Sequence, residues 1–412
     1  MGPYVYRIRL VKNITNWGKD NETLTYDETV SYHFEEKLSK GKETDEVYLL
    51  NLPAVGIAGI IDKEYSDIAS FIESLLKSSK VKIFKKLQVK QLLFGYKIDF
   101  LEELAEFDDA VYKYLPDATF GLFYKKNNSV VKNIVMNTGI KDKKAFGLIQ
   151  SINNKTKLDI WPHEYCNMIN GSDGIGHPQP INEDVKLKFF VHLLQRSFTL
   201  EYVRDSEIEG IPTMEFTVSS DTFDTQSKSS EQKCFCDSKK WCDSKGVFSY
   251  KLIDAVSVLV SRPYFVGADS KFRVFKEFDQ DEDKYKIHFQ IQPLIGFTLG
   301  MAFTLQLNIV VKQSDNLWYL RKMNETVFPV AWFTQSADLP EDFAKEVYDM
   351  IMTPQIYGKY AVMLVIGLGI MGISSAILNN IYPIIKKKKP STPSGKILPI
   401  NKNTSKTQVE KF

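Results

Sequence analysis

The sequence contains little cysteine and little histidine: four and five residues, respectively, among 412. So few cysteines exclude a disulfide-dense small domain, and a hydrophobic content of 43% excludes a disordered chain. The 22 glycines and 16 prolines are too few for a collagen. The apolar content is sufficient for one large folded domain or for two to three ordinary ones.

Motifs for catalysis are also lacking. The sequence contains neither an H-E-x-x-H motif nor a G-x-S-x-G nucleophile elbow, so we predict that the protein is not an enzyme and uses no cofactor. A G-x-G-x-x-G pattern does occur at Gly367–Gly372, but its surroundings are uniformly apolar. A dinucleotide site needs a preceding strand and a later acidic residue, so we interpret these glycines as contacts between membrane helices.

The net charge of +2 conceals two regions of opposite sign. Residues 386–412 contain eight Lys and one Glu, a balance of +7, so the remaining 385 residues carry −5. An acidic body with a basic tail argues against a nucleic-acid-binding protein.

One long apolar run separates the two regions. Ala361–Leu378 is 18 residues long without a charge, which is enough for a transmembrane candidate, and Lys386–Lys389 follow soon after. Basic residues mark the cytoplasmic flank of a membrane helix, so the body is expected to be lumenal or extracellular. We therefore predict three parts: an ectodomain at 1–358, a transmembrane helix at 359–385 and a cytoplasmic tail at 386–412.

Asn-x-Ser/Thr sequons are frequent in the body. An excess of sequons ahead of the membrane span fits a glycosylated lumenal domain. The six predicted glycosylation sites are Asn13, Asn21, Asn127, Asn154, Asn170 and Asn324.

All four cysteines lie in the body, which favours two disulfides: Cys166, Cys234, Cys236 and Cys242. Cys234 and Cys236 are too close to pair comfortably with each other. The spacing therefore favours Cys166–Cys234 with Cys236–Cys242, although the sequence alone permits three pairings. The C-x-x-C spacing and nearby histidines of a zinc site are missing, so we predict no metal.

The amino-terminal region conflicts with a lumenal body. Residues 1–25 contain no apolar segment of the kind found in signal peptides. Either the chain is a tail-anchored cytosolic protein or its start is missing.

The hydrophobic patterns predict a mixed body. Tyr4–Val11 reads as a strand, Glu64–Lys80 as an amphipathic helix, and Lys286–Lys312 as two to three antiparallel strands. Pro340–Thr353 reads as a short amphipathic helix. We predict one large α+β domain, mostly strands, with a helical insertion near residues 56–95.

A lysine-rich stretch follows the predicted helix. Residues 77–90 contain six Lys and no acid. Two interpretations stay open: an ordinary solvated face, or a positive patch for anionic ligands.

In-order segments from residue 2 to the membrane span resemble the class B scavenger receptor family. The matching segments are Gly2–Tyr6, Leu92–Tyr96, Gly121–Tyr124, Cys166–Asp173, Cys234–Cys236, Pro263–Phe265 and Gln292–Phe297. The resemblance implies an antiparallel β-barrel-like ectodomain with a helical cap and an internal hydrophobic tunnel. It also implies a first membrane anchor ahead of the region matched here, which favours a missing start.

The resemblance supports the pairs Cys166–Cys234 and Cys236–Cys242, and it places Lys80 at a lysine that engages anionic lipid. Ser78 replaces a second such lysine, and Lys77 and Lys82 are expected to compensate. Phe71 and Leu75 complete the predicted cap contacts.

The function implied by the resemblance is a receptor at the plasma membrane that binds lipids, lipoproteins or other hydrophobic or anionic ligands and passes lipid to the membrane. A lysosomal or endosomal receptor that docks a partner enzyme, and a sensory or phagocytic co-receptor, are the alternatives. We expect no nucleic-acid partner and leave homo-oligomerisation open.

Overall fold

The structure is a computed structural model of the chain. It describes residues 2–106, 116–225, 230–236, 239–242, 244–253, 256–273 and 285–386. The chain divides into two units, residues 1–344 and residues 345–412. The predicted cytoplasmic tail lies outside the described residues beyond residue 386.

The described residues form sixteen strands, and every pairing between them is antiparallel. The strands are β1 Tyr6–Trp17, β2 Thr23–Phe34, β3 Glu46–Leu50, β4 Phe84–Gln88, β5 Tyr96–Lys97, β6 Thr119–Phe120, β7 Ser129–Asn137, β8 Ile149–Ser151, β9 Leu187–Val191, β10 Arg196–Ile208, β11 Ile211–Val218, β12 Val247–Ile253, β13 Val256–Ser261, β14 His288–Gln292, β15 Phe297–Val311 and β16 Thr326–Ala337.

The described helices are mostly short. They are α1 Leu52–Glu64, α2 Ala69–Ser78, α3 Val89–Phe94, α4 Asp99–Ala105, α5 Glu164–Asn167, α6 Ser230–Lys233, α7 Lys239–Cys242 and α8 Glu341–Lys386. Single 3-10 turns occur at Lys19–Asn21, Glu36–Leu38, Ser66–Ile68, Pro116–Ala118, Lys143–Ala145, His192–Leu194, Ser220–Phe223, Pro263–Phe265 and Ser270–Phe272.

Two larger sheets form the body. The first has the order β1-β2-β7-β8, and the second runs β12-β13-β15-β14-β11-β10-β9, with β16 on the other edge of β15. β15 is buried on both faces along most of its length, which explains its nearly continuous apolar sequence. The prediction of antiparallel strands across 286–312 is confirmed by β14 and β15.

The predicted barrel-like core needs a correction, because the described strands do not close into a barrel. Beyond β9 the second sheet continues only as a single bridge between Phe189 and Ser172. Gly171 turns the chain there with a φ of +101°, and a Cβ at this position would lie 2.2 Å from the carbonyl oxygen of Lys188. The loop therefore blocks this edge of β9, and no further strand pairs there within the described residues.

The bounds of three predicted elements also differ from those in the structure. The strand predicted at residues 4–11 runs from Tyr6 to Trp17, because it pairs with β2 as far as Leu24. The short helix predicted at residues 340–353 and the membrane helix predicted at 359–385 belong to one helix, α8, which continues through Pro354. By length and composition α8 can cross a membrane, and it is the one such helix among the described residues.

Candidate functional site

The candidate ligand-binding surface is the cap, which we define as residues 46–105. Its first helix, α1, is apolar on all sides and therefore buried. The side chain of Asn51 accepts the N–H of Ala54 at 3.4 Å and begins this helix. The same side chain donates to the carbonyl oxygen of Lys82 at 2.9 Å, so it fixes the lysine-rich turn beside the start of α1.

The helical insertion predicted near residues 56–95 contains α2 and α3 and most of α1, but the bounds of the predicted cap helix need a correction. The helix predicted at residues 64–80 is two segments: α1 ends at Glu64, and α2 covers only Ala69–Ser78. The break occurs at Tyr65, whose φ of −129° is not helical. Asn51 followed by Pro53 was the available signal for α1, because Asn is a preferred N-cap and Pro is tolerated in the first turn.

The end of α2 places Lys80 in an unusual backbone conformation. Val81 N–H bonds to the carbonyl of Leu76 at 3.0 Å, and Lys80 N–H bonds to that of Lys77 at 3.1 Å. This is a Schellman motif, and Lys80 occupies its left-handed position with a φ of 50°. Glycine is usual at that position because it has no Cβ, so a lysine there introduces backbone strain.

A loop from the second sheet holds the cap. We call residues 312–325 the clamp loop. The carboxylate of Glu73 on α2 accepts the N–H of Trp318 at 2.9 Å and Nη2 of Arg321 at 3.1 Å. The hydroxyl of Tyr319 donates to the carbonyl oxygen of Ala54 at 2.7 Å. Both α1 and α2 are therefore tied to residues more than 240 positions away in sequence.

The predicted ligand residues of the cap differ in their exposure and in their contacts within the protein. Lys77 pairs with Glu73 at 3.3 Å and lies 5.4 Å over the ring of Trp318, so its charge already has partners within the protein although the side chain is exposed. Leu75 is half-buried and packs against the apolar core of the cap. The ring of Phe71 is 46% exposed and faces outward from α2.

Lys80 and Lys82 are the remaining predicted ligand residues of the cap. Both are exposed, and neither makes an ion pair with a described residue. Farther along the lysine-rich stretch, Lys86 pairs with Glu46, and Lys85 lies 4.6 Å over the ring of Tyr96. In the turn between α2 and β4 the positive charge available to an external ligand is therefore at residues 80 and 82, and Lys90, at the end of the lysine-rich stretch, is also exposed.

The predicted pair Cys166–Cys234 forms a disulfide with its Cα atoms 6.1 Å apart. Cys236 is also disulfide-bonded. The side chain of Cys242, its predicted partner, lies outside the described residues.

The six predicted glycosylation sites differ in exposure. Asn170 is half-buried and lines a small polar pocket with Lys188 and Gln232, and its N–H donates to Ser197 Oγ at 3.1 Å. The remaining five are exposed: Asn13, Asn21, Asn127, Asn154 and Asn324.

Sequence reasoning also missed Arg196, which is 1% exposed. Its Nη2 donates to Gln232 at 2.9 Å, and its guanidinium lies 3.9 Å from the ring of Phe235 and 4.2 Å from that of Phe248. Its Nε and Nη1 have no hydrogen-bond partner among the described residues. Burial lowers the pKa of Arg196 to about 9, so it stays charged at neutral pH. The sequence does contain a signal for this residue. Arg196 lies two positions before Phe198 on β10, so both side chains point to the same buried face of the strand.

The described residues contain no group of three or more His, Cys, Asp and Glu side chains that could hold a metal ion.

Comparison with known proteins identifies one family. The model of the CD36 family matches residues 1–379. Lysosome membrane protein 2 from Rattus norvegicus is 28% identical over 361 residues, which cover 86% of this chain and 73% of that protein. Lysosome membrane protein 2 from Homo sapiens is also 28% identical, with the same coverage of both chains.

A second kind of relative matches equally well. Scavenger receptor class B member 1 from Cricetulus griseus is 28% identical over 377 residues, covering 89% of this chain and 71% of that protein. The residues matched by the family model, 1–379, include the cap, both sheets and α8 as far as residue 379.

Proposed function

The chain belongs to the CD36 family, and on this premise we propose that it is a membrane-anchored scavenger receptor that binds lipoproteins or other anionic lipid ligands. The observation that carries the proposal is the pair of exposed lysines, Lys80 and Lys82, which the cap presents without an ion-pairing partner among the described residues. Unpaired cations attract phosphate and carboxylate groups on a particle surface.

The distribution of sequons supports the cap as the ligand-facing surface. Asn21 and Asn127 are consecutive sequons, so the sequence of the cap carries none. Glycans are bulky and hydrated, and a surface that docks a lipid particle benefits from their absence. Phe71 adds an outward-facing aromatic ring on α2.

Lipid transfer through a hydrophobic tunnel is the second part of the proposal. It is supported by family membership and by a physical need: each methylene group exposed to water costs about 0.8 kcal/mol. A conduit lined by apolar side chains lowers that barrier for a lipid moving from a particle to a bilayer.

The test is uptake by cells that express the full chain. Particles carry one label on their protein and another on a cholesteryl ester. We expect lipid label to accumulate in excess of protein label. Equal accumulation of both labels would contradict tunnel-mediated transfer, and failure to bind the particles would contradict the receptor itself.

Charge reversal tests the cap directly. The double variant Lys80→Glu/Lys82→Glu is expected to weaken binding of an anionic particle about fivefold, because each exposed charge contributes a fraction of a kcal/mol. The matched control is Lys19→Glu/Lys132→Glu, which changes the net charge equally at two exposed lysines outside the cap. Equal binding by both variants at low salt would contradict the role of the cap.

A lysosomal or endosomal receptor that docks a partner enzyme is the second candidate, and the similarity to lysosome membrane protein 2 favours it. Its cap would have to release a partner without histidine chemistry, since residues 46–105 contain no histidine. Co-staining the expressed chain with plasma-membrane and lysosomal markers separates the two locations. We expect the plasma membrane, and an exclusively lysosomal signal would favour the alternative.

A further inference from the structure

Three loops of the body converge at one place away from the cap. They cover residues 139–146, 174–179 and 293–297. The rings of Phe146 and Phe297 pack edge to face with centroids 5.4 Å apart. Gln179 joins the other two loops, because its N–H bonds to the carbonyl of Lys143 at 3.0 Å and its side chain donates to that of Leu294 at 3.1 Å.

The convergence displays four apolar side chains, which we call the apolar tip. Ile140 is 67% exposed, Leu294 61%, Ile175 41% and Phe297 39%. Single exposed apolar residues are common, but residues from three loops gathered in one place mark an interaction surface.

Lysines border the apolar tip. Lys141, Lys143 and Lys144 are all exposed, and the segment 140–144 carries a net charge of +2. Lys141 pairs with Glu22 at 2.7 Å, whereas Lys143 and Lys144 make no ion pair with a described residue. Apolar side chains flanked by lysines are typical of segments that lie at a lipid–water interface.

The tip is held in place from beneath. The N–H of His177 bonds to the carbonyl of Gly296 at 2.7 Å, and its ring lies 3.0 Å from Oγ1 of Thr298. The N–H of Thr298 bonds in turn to the carbonyl of Ile175 at 2.9 Å. Because these backbone groups are already paired, they hold the loops against one another beneath the apolar side chains.

We propose that the apolar tip inserts into the head-group region of the phospholipid leaflet of the membrane that anchors the chain, with Lys143 and Lys144 contacting anionic lipid phosphates. Charge complementarity selects this occupant, because phosphates supply the partner that these lysines lack among the described residues. Asn21 is a predicted glycosylation site, and its carbonyl accepts the hydroxyl of Thr138 at 2.6 Å. A hydrated glycan there would lie beside the tip and would restrict insertion to the depth of the head groups.

The test uses the full chain in nanodiscs of phosphatidylcholine and phosphatidylserine with brominated acyl chains. Leu294→Trp places a fluorophore on the tip, and Leu38→Trp is the matched control, since Leu38 is 65% exposed outside the tip. The emission of the parent chain with its five tryptophans is subtracted. We expect bromine near the head groups to quench about half of the emission added at residue 294 and bromine near the chain ends to quench less.

The lysines are tested in the same nanodiscs. Adding Lys143→Glu/Lys144→Glu to Leu294→Trp should lower the quenching to the control value, whereas Lys40→Glu/Lys42→Glu should leave it unchanged. Equal quenching at residues 294 and 38 overturns the proposal. So does a tip tryptophan that is blue-shifted but unquenched, because a protein surface would then cover it. Particle binding by the cap is a separate measurement, so either proposal can fail alone.

Discussion

The carboxylate of Glu73 accepts the backbone N–H of Trp318 at 2.9 Å across 245 residues of chain. The same carboxylate bonds to Arg321 and pairs with Lys77, and its side chain is 15% exposed. A partly buried carboxylate with three donors from two parts of the chain makes α2 dependent on the clamp loop.

Replacing Glu73 should therefore loosen the cap. Glu73→Ala is expected to cost about 1–3 kcal/mol of unfolding free energy, because it leaves the N–H of Trp318 without its acceptor. Glu73→Gln should cost less, since the amide oxygen can still accept that N–H. Hydrogen exchange of residues 69–78, together with urea unfolding, measures both effects. Glu36→Gln, at an exposed position, serves as the control, and an equal effect there would contradict the clamp.

Lys80 allows stability to be separated from ligand binding. Lys80→Gly should be more stable than Lys80→Ala by roughly 1 kcal/mol, because glycine adopts the left-handed conformation without a Cβ penalty. Both variants remove the same positive charge, so both should bind anionic particles equally weakly. Thermal unfolding and particle binding are measured on the same preparations. Stability that is equal in the two variants would show that the turn relaxes around residue 80.

The disulfide between Cys166 and Cys234 closes a separation of 68 residues. A loop of that length predicts a loss of roughly 4 kcal/mol in Cys166→Ala/Cys234→Ala, since the cross-link restricts the unfolded chain. Urea unfolding without reductant measures the loss. With reductant present, the difference between the variant and the parent should shrink, and a difference that persisted unchanged would assign the loss to packing.

His177 makes the stability of the body depend on pH. Burial lowers its pKa to about 4, although the carboxylate of Asp173 acts in the opposite direction. Between pH 6.5 and pH 4 the unfolded chain takes up a proton that the folded chain does not, so stability falls as the pH drops through this range. From pH 7.4 to pH 5 the expected loss is about 2 kcal/mol.

The measurement for His177 is urea unfolding at both pH values. His177→Gln should reduce the loss by that amount, whereas His33→Gln, at an exposed histidine, should not. A parent chain equally stable at both pH values would contradict the assignment. The stability of the parent chain at pH 5 is relevant to the choice between the two locations, because a lysosomal receptor works near that pH.

Elements with a strong local pattern could be predicted from the sequence. The alternation across residues 286–312 predicts β14 and β15, and an uncharged run of 18 residues predicts the apolar part of α8. The pairing Cys166–Cys234 followed from spacing supported by the family resemblance. These features depend on neighbours within a few residues or on covalent chemistry, which a sequence displays directly.

Features that depend on distant contacts were missed or misplaced. The break at Tyr65 divides what periodicity joined into one helix, and the loop around Gly171 ends the sheet where a barrel-like core was expected. The contact of Lys77 with the ring of Trp318 also joins residues far apart in the chain, and the predicted role of Lys77 in ligand binding stays a prediction. The pairing of Lys77 with Glu73 is a local i, i+4 contact, whereas the contact with Trp318 and the block of β9 by the loop around Gly171 depend on residues from other parts of the chain.

The sequence by itself determined the family, the one apolar span among the described helices, and the charge difference between body and tail. All three can be read from residue order and composition without knowledge of the fold. The tertiary structure decided which lysines of the cap remain available, where the buried cation at Arg196 lies, and that three loops carrying four exposed apolar side chains converge at one tip. Availability and adjacency depend on burial and on distances between residues far apart in the chain, and only the folded chain brings those residues together.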